Sequence, residues 1–249
     1  VRGKVESIQA TEKETRDPKE HENKAIRYFQ LALRYSIAGS EPLILVVMGR
    51  IGAGKSTIAK QLASELGWPL LASDEIRKAL AGVPLTKRTP SALREKIYSL
   101  RMTQKTYRKI VKDGLAAIGC SRGRRPRLFQ PHNGVILDAT FSASAPRKFL
   151  RDECNKANVQ FQFVELEVDS SEVKKRLKDR NEKTAQASDA RLEDFEKFSA
   201  AYESTAELAP ELIRISTNAL PSDTVKAILL CLAERQSVAA NNKGFAEPG

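Results

Sequence analysis

The chain has 249 residues, 41% of them apolar and 29% charged, a length and composition that suit a globular domain and exclude a disordered or fibrous chain. Its apolar run Leu43–Met48 is far too short to span a bilayer, no basic and apolar leader opens the sequence, and a cytoplasmic location is expected. Cys120, Cys154 and Cys231 are scattered and odd in number, which argues against a disulfide framework or a zinc site, and the net charge of +11 admits either a nucleic-acid partner or a protein that handles polyanionic nucleotides.

Residues 1–24 are polar and charged and show no strand pattern. The segment AIRYFQLALRYSI over 25–37 predicts a helix with Ile26, Phe29, Leu31 and Leu33 as its apolar surface. Gly39, Ser40 and Pro42 then break the chain. Residues 1–40 are therefore expected to form a helical arm, the tail of an upstream domain. Residues 41–236 follow as the main domain and 237–249 as a flexible tail.

From Leu43 onward strands and helices alternate, which predicts an α/β domain with a five-stranded, mainly parallel sheet. Leu43–Met48 reads as a strand buried on both faces. A helix follows over about 55–66, with Ile58, Leu62 and Leu66 on one face and Gly67 as its stop. Next come a short strand over 68–71, a helix from about Asp74, and a long helix over about 91–118. Gly134–Asp138, 160–168 and Leu212–Ser216 supply three further strands. The intervening helices are expected near 145–157, 171–180, 191–202 and 222–235.

The run Gly49-Arg50-Ile51-Gly52-Ala53-Gly54-Lys55-Ser56 matches G-x-x-x-x-G-K-[ST] and lies between a buried strand and a helix. Glycines let successive N–H groups turn inward toward phosphate oxygens, and the helix N-terminus adds positive potential there. Residues 49–57, Thr57 included, are the expected nucleotide-binding segment. Lys55 should reach the β- and γ-phosphates, and Ser56 should complete a Mg²⁺ shell.

A P-loop alone does not separate kinases from ATPases or GTPases. The second signal is Ser73-Asp74-Glu75-Ile76-Arg77, just past the second strand. A carboxylate at such a strand end faces the ligand crevice and can take the proton of an attacking hydroxyl. Arg77 can anchor the acceptor or the transferred phosphoryl group. Ser73 or Asp74 can also simply cap the next helix. Asp138, ending the third strand, is a candidate Mg²⁺ carboxylate or a turn aspartate. Lys174, Lys175, Arg176, Lys178 and Arg180 form a basic cluster beside the polar stretch 181–188. They suit a lid over the γ-phosphate or a solvated helix face.

The segments LILVVMGRIGAGKSTIAKQLASELGWPLLASDEIRKALAG, GVILDATFS and RLKDRN…SDARLEDFE resemble the AAA-type, P-loop predicted kinases of the zeta-toxin and polynucleotide-kinase-like group. The chain also resembles the ATP-binding half of bacterial proteins with an aminoglycoside-phosphotransferase-like domain upstream. The resemblance implies Asp74 as general base, Arg77 near the acceptor, and Arg176 and Arg180 as lid arginines. It departs at GCSRGRRPRLFQPHN, where Arg122, Arg124, Arg125 and Arg127 with Phe129 and His132 suit either a nucleic-acid backbone or a solvated loop.

The expectation is thus a three-layer α/β/α P-loop NTPase fold that uses ATP and Mg²⁺ to phosphorylate a hydroxyl of a small metabolite, nucleotide sugar or nucleic-acid 5′ end. The rival expectation is a nucleotide-gated regulatory module acting on an upstream domain. Thr89, Tyr98, Arg101, Thr103 and Tyr107 are expected to line part of the acceptor pocket.

Overall fold

A computed structural model describes residues 1–12, 15–85, 89, 91–119, 133–169, 171–173, 175–176 and 200–244. The expected arginine-rich loop, the lid stretch 181–188, Arg180, and nearly all of the expected helix at 191–202 lie outside the described residues. So does Cys120, and among the described residues Cys154 and Cys231 are free thiols. No described helix is long and apolar enough to cross a membrane.

The central strand β1 (Leu43–Gly49) is buried along its whole length. It occupies the middle of a sheet ordered β2-β3-β1-β4-β5, whose other strands are β2 (Leu70–Ala72), β3 (Gly134–Asp138), β4 (Gln160–Glu167) and β5 (Leu212–Ser216). All pairings are parallel, so helices must cover both faces. Ile44, Val46 and Met48 share one core with Tyr107, Ile110 and Val111 of α6 (Leu100–Ala117) and Leu150 of α7 (Ser144–Ala157). Leu43, Leu45 and Val47 share the other core with Ile58, Leu62 and Leu66 of α3 (Lys55–Leu66). Val225, Ile228 and Leu232 of α8 (Pro221–Gly244) belong to that second core too. This is the three-layer α/β/α arrangement that the alternation of elements predicted.

Four boundaries differ from expectation. The stretch without a strand pattern contains α1 (Arg2–Gln9), within the expected helical arm, and α2 (Pro18–Ala38) starts at Pro18 rather than Ala25. The Asp17 side chain accepts from the Glu20 N–H at 3.0 Å and Pro18 supplies a first helical residue that needs no donor. The second strand begins at Leu70, because Trp68 is instead buried with its indole N–H on Asn133 Oδ1 at 3.2 Å. The expected helix over 91–118 is two helices, α5 (Ser91–Ile97) and α6. Ser99 breaks it by adopting an extended conformation and capping α6 through its hydroxyl, which accepts from the Met102 N–H. At the other end, α8 continues to Gly244, so residues 237–244 are helical rather than frayed. The remaining helix, α4 (Ser73–Ala81), follows β2 directly.

The P-loop helix α3 is closed at its C-terminus by α2. Gly67 takes a left-handed conformation, Arg34 Nε donates to Leu66 O at 2.5 Å and Nη2 to Gly67 O at 3.4 Å, and Gln30 donates to Ser64 O at 2.9 Å. Carbonyls left over at the helix end are thereby satisfied by a cation, which also suits the helix dipole. Arg34→Ala should lower unfolding stability by about 1.5–3 kcal/mol, read as a lower urea midpoint with an unchanged slope. An unchanged midpoint would mean that water replaces the cap at no cost.

Candidate functional site

The strand register sets the site. Asp138 pairs with Val47 on one side and with Ala72 on the other. β3 and β2 therefore end at one level and β1 runs two residues beyond it, to Gly49, so that the P-loop, Asp138 and Asp74 all emerge from that edge. With neighbouring strands about 4.8 Å apart, Ala72 and Val47 on either side of Asp138 are about 10 Å from each other. Asp138 alternates with Leu137 and so faces the α3 side of the sheet, as Ile136 does.

The P-loop itself is shaped by glycine. Gly49, Gly52 and Gly54 have φ of 138°, 79° and 85°, values that side-chain-bearing residues avoid. At Gly49 an added Cβ would stand 2.6 Å from the Leu166 carbonyl oxygen of β4, so strand packing as well as backbone conformation demands glycine. Gly54 is the N-cap of α3 and its carbonyl accepts from the Thr57 and Ile58 N–H groups at 3.0 and 3.1 Å. Ile51 is half-buried and Ala53 buried, whereas Ser56 and Thr57 are exposed on the first turn. Lys55 Nζ donates to Arg50 O at 2.9 Å, spanning the mouth of the loop. The loop thus presents Lys55, Ser56 and inward-curving backbone N–H groups together.

Asp74 lies in the first turn of α4, after β2. No side-chain cap bond precedes that helix: its N-cap is Ala72, not Ser73 or Asp74. Arg77, one turn on, is buried at 6% exposure. Its Nη1 donates to Ile97 O at 3.0 Å and Thr103 Oγ1 at 3.1 Å, and its guanidinium stacks 4.8 Å from the Tyr98 ring centroid. The break between α5 and α6 is what makes Ile97 O available. Arg77 Nε is buried with no hydrogen-bond partner. Of the residues expected around the acceptor, Tyr98 and Thr103 hold Arg77, Thr89 is buried and Arg101 is exposed.

Tyr107 does not line an open pocket. Its hydroxyl accepts from the Phe141 N–H at 2.9 Å, and burial pushes its pKa up to about 12, with the charges of Arg77, Asp74 and Arg147 close enough to act on it. The hydroxyl therefore stays protonated throughout the neutral range.

Arg176 stands over the P-loop: a Cβ on Gly54 would lie 3.6 Å from its Nη1. It bonds Glu172 Oε1 at 2.9 Å through Nε, and Thr217 through both Nη atoms, at 3.3 Å to Oγ1 and 2.7 Å to the carbonyl. It thus ties the chain after β4 to the chain after β5 across the mouth of the loop.

A cleft of about 380 Å³ opens beside Arg50, lined by the ends of β4 and β5 and by residues 202–205. Its floor is Glu165, whose carboxylate accepts from Tyr202 Oη at 2.8 Å, Thr205 Oγ1 at 2.9 Å and Arg214 Nε at 3.2 Å. Burial first, and then Glu165, raise the Tyr202 pKa, which keeps its hydroxyl a donor. Arg50 sits 5.5 Å from the Tyr202 ring centroid. Nothing in the sequence pattern pointed to this cluster, because its members are far apart along the chain and belong to no motif. Among the described residues no group of three or more His, Cys, Asp or Glu could hold a metal.

The profile of a family described as an AAA domain matches residues 44–205. A comparison with curated proteins gives no match. Among solved structures, the chain is similar to a gluconokinase from Sinorhizobium meliloti, with 18% identity and a TM-score of 0.55, covering 83% of this chain and 98% of that one. It is also similar to the APS kinase of Mycobacterium tuberculosis in complex with AMPPNP and APS, with 16% identity and a TM-score of 0.54, covering 78% and 98%. At these identities the two structures share a fold with this chain. With the matched region running from β1 through the P-loop, Asp74, Asp138 and Arg176 to Thr205, the chain belongs to the AAA-domain family.

Proposed function

We propose that the protein is an ATP-dependent phosphotransferase that moves the γ-phosphoryl group to a hydroxyl of a small acceptor. The observation that carries this reading is the register that aligns Asp138, at the end of β3, with Ala72, at the end of β2, and with Val47, two residues before the end of β1. It sets a phosphate-binding loop and two carboxylates, Asp138 and Asp74, side by side along one edge. An ATPase needs only the first two; a second carboxylate beyond them suits the deprotonation of an acceptor hydroxyl.

In this reading the P-loop N–H groups and Lys55 hold the nucleotide phosphates. Ser56 and Asp138 supply hard oxygen donors of the type Mg²⁺ prefers, and one or two such groups plus phosphate oxygens and water complete its shell. The ion, when bound, neutralises phosphate charge. Asp74 takes the acceptor proton. Arg77, held by Ile97, Thr103 and Tyr98, supplies a fixed positive charge near the acceptor or the transferred phosphoryl. Arg176 adds positive charge above Gly54, with Arg180 proposed to join it. The kinase folds of the gluconokinase and the APS kinase, the latter seen with AMPPNP and APS, support a small acceptor over a nucleic-acid end.

Two variants test the assignment. With Mg²⁺ and γ-labelled ATP against pooled metabolites, nucleotide sugars and 5′-hydroxyl oligonucleotides, label should reach one acceptor class. Asp74→Asn should cut that transfer by about 10²-fold or more while calorimetric affinity for Mg-AMPPNP stays within about threefold; undiminished transfer would remove Asp74 from the chemistry. Lys55→Ala should instead weaken AMPPNP binding itself, by about 10-fold or more, without unfolding the chain. Label released only as inorganic phosphate, with no acceptor labelled, would point to a nucleotide-gated module instead.

A further inference from the structure

The turn that follows Asp138 is held in an unusual way. Phe141 has φ of +45°, a conformation that residues with side chains rarely keep unless their surroundings over-determine it. Its surroundings do. The ring is fully buried, tilted against Tyr107 at 4.8 Å and edge-on to Phe163 at 6.1 Å. Its N–H is taken by the Tyr107 hydroxyl at 2.9 Å, and its carbonyl by Arg147 Nη1 at 2.9 Å. Both clamping side chains are buried, Tyr107 at 6% and Arg147 at 0% exposure.

Each clamp is anchored on a different element. Tyr107 belongs to α6, and one turn earlier on that helix Thr103 accepts from Arg77. The same helical face therefore fixes the turn after β3 and the arginine after β2. Arg147 belongs to α7, and its remaining nitrogens bond Glu207 Oε1 at 2.6 Å and Ser204 O at 2.5 Å. Glu203 adds two further links to this turn: its N–H donates to Ser142 O at 2.8 Å and its carboxylate accepts from the Ser144 N–H at 2.6 Å. Polar groups this well buried and this fully matched specify one conformation. The segment they specify runs from Asp138 to Ser144.

We propose that Tyr107 and Arg147 are positioning residues: by clamping Phe141 from both sides they fix the 138–141 turn and so hold Asp138 at the P-loop in register with Asp74. The inference rests on the roles given above to Asp138 and Asp74. Both clamps are buried side chains outside the P-loop. Each acts through the backbone of one strained residue.

The test is Tyr107→Phe, which keeps the ring and removes only the oxygen, alongside Arg147→Lys, which keeps the charge but not the fork. Misplacement of a reacting group by a fraction of an ångström lowers turnover more than binding, so kcat should fall about tenfold in each while the nucleotide KM stays within about twofold. The Mg²⁺ concentration for half-maximal activity should rise. Because both variants release the same turn, the double variant should lose less than the product of the two single losses. A structural role alone would lower the melting temperature and leave kcat unmoved below it, and that result overturns the proposal. Should Tyr107→Phe fail to fold, Arg147→Lys carries the same kcat and KM comparison. If the unaltered protein transfers no phosphoryl group at all, the reading of Asp74 falls separately. The ratio of AMPPNP affinities with and without Mg²⁺ then decides: a ratio reduced in Tyr107→Phe supports positioning of Asp138, and an unchanged ratio overturns it.

Discussion

The approach of β4 to the start of the P-loop is the contact on which the site depends. At Gly49 the chain leaves the sheet so close to the Leu166 carbonyl that no side chain fits. Gly49 is still paired with Leu166 of β4, whereas the pairing of β1 with β3 stops at Val47. Once β1 is fixed there, the loop must curl back over its own strand end, and glycines at 52 and 54 permit it. The same register puts Asp138 beside Val47 and Ala72. Phosphate-binding backbone and carboxylates are thus consequences of one alignment rather than separate inventions.

Around this rigid edge the polar network is arranged in two halves. On the β2 side, Arg77 is fixed by the broken helix of α5 and α6. On the β4–β5 side, Glu165 gathers Tyr202, Thr205 and Arg214 into one cluster, with Arg50 of the P-loop lying against the Tyr202 ring. Residues 203–207 then reach back to the turn after β3 through Arg147 and Glu203. The return of the β4–β5 connection is therefore bonded to the turn that carries Asp138. Arg176 links the outgoing side of that connection to Thr217.

What was legible in the sequence follows from which constraints are local. The P-loop could be read because its backbone conformation forces residue types at fixed spacing, and β1 and β3 because strands buried on both faces must be continuously apolar. Asp74 and Asp138 could be placed at strand ends for the same reason. The break at Ser99 was not visible, since Lys96–Thr103 has good helix formers on both sides and the capping hydroxyl competes only weakly with helix continuation. Trp68 looked like strand, but its partner, Asn133, lies on the far side of α6 in sequence. Arg147 and Glu165 read as ordinary members of a helix and a strand; their burial is set by Glu207, Ser204, Tyr202 and Arg214, all distant along the chain. Sequence pattern reports the backbone's local needs and is blind to such long-range pairings.

The order of the strands also has a consequence for how the chain comes into being. β1 is made first and is wholly apolar, yet both of its neighbours, β3 and β4, are encoded far downstream, at Gly134 and Gln160. At ribosomal rates of about 5–20 residues per second, roughly 4–17 s pass between the synthesis of Gly49 and that of Gly134. For that interval the nascent chain carries a sticky strand with neither edge paired, shielded only on its faces by helices such as α3 and α6. Such a topology folds slowly and late, and the cell's holding chaperones have their natural target in the segment that will become the nucleotide site.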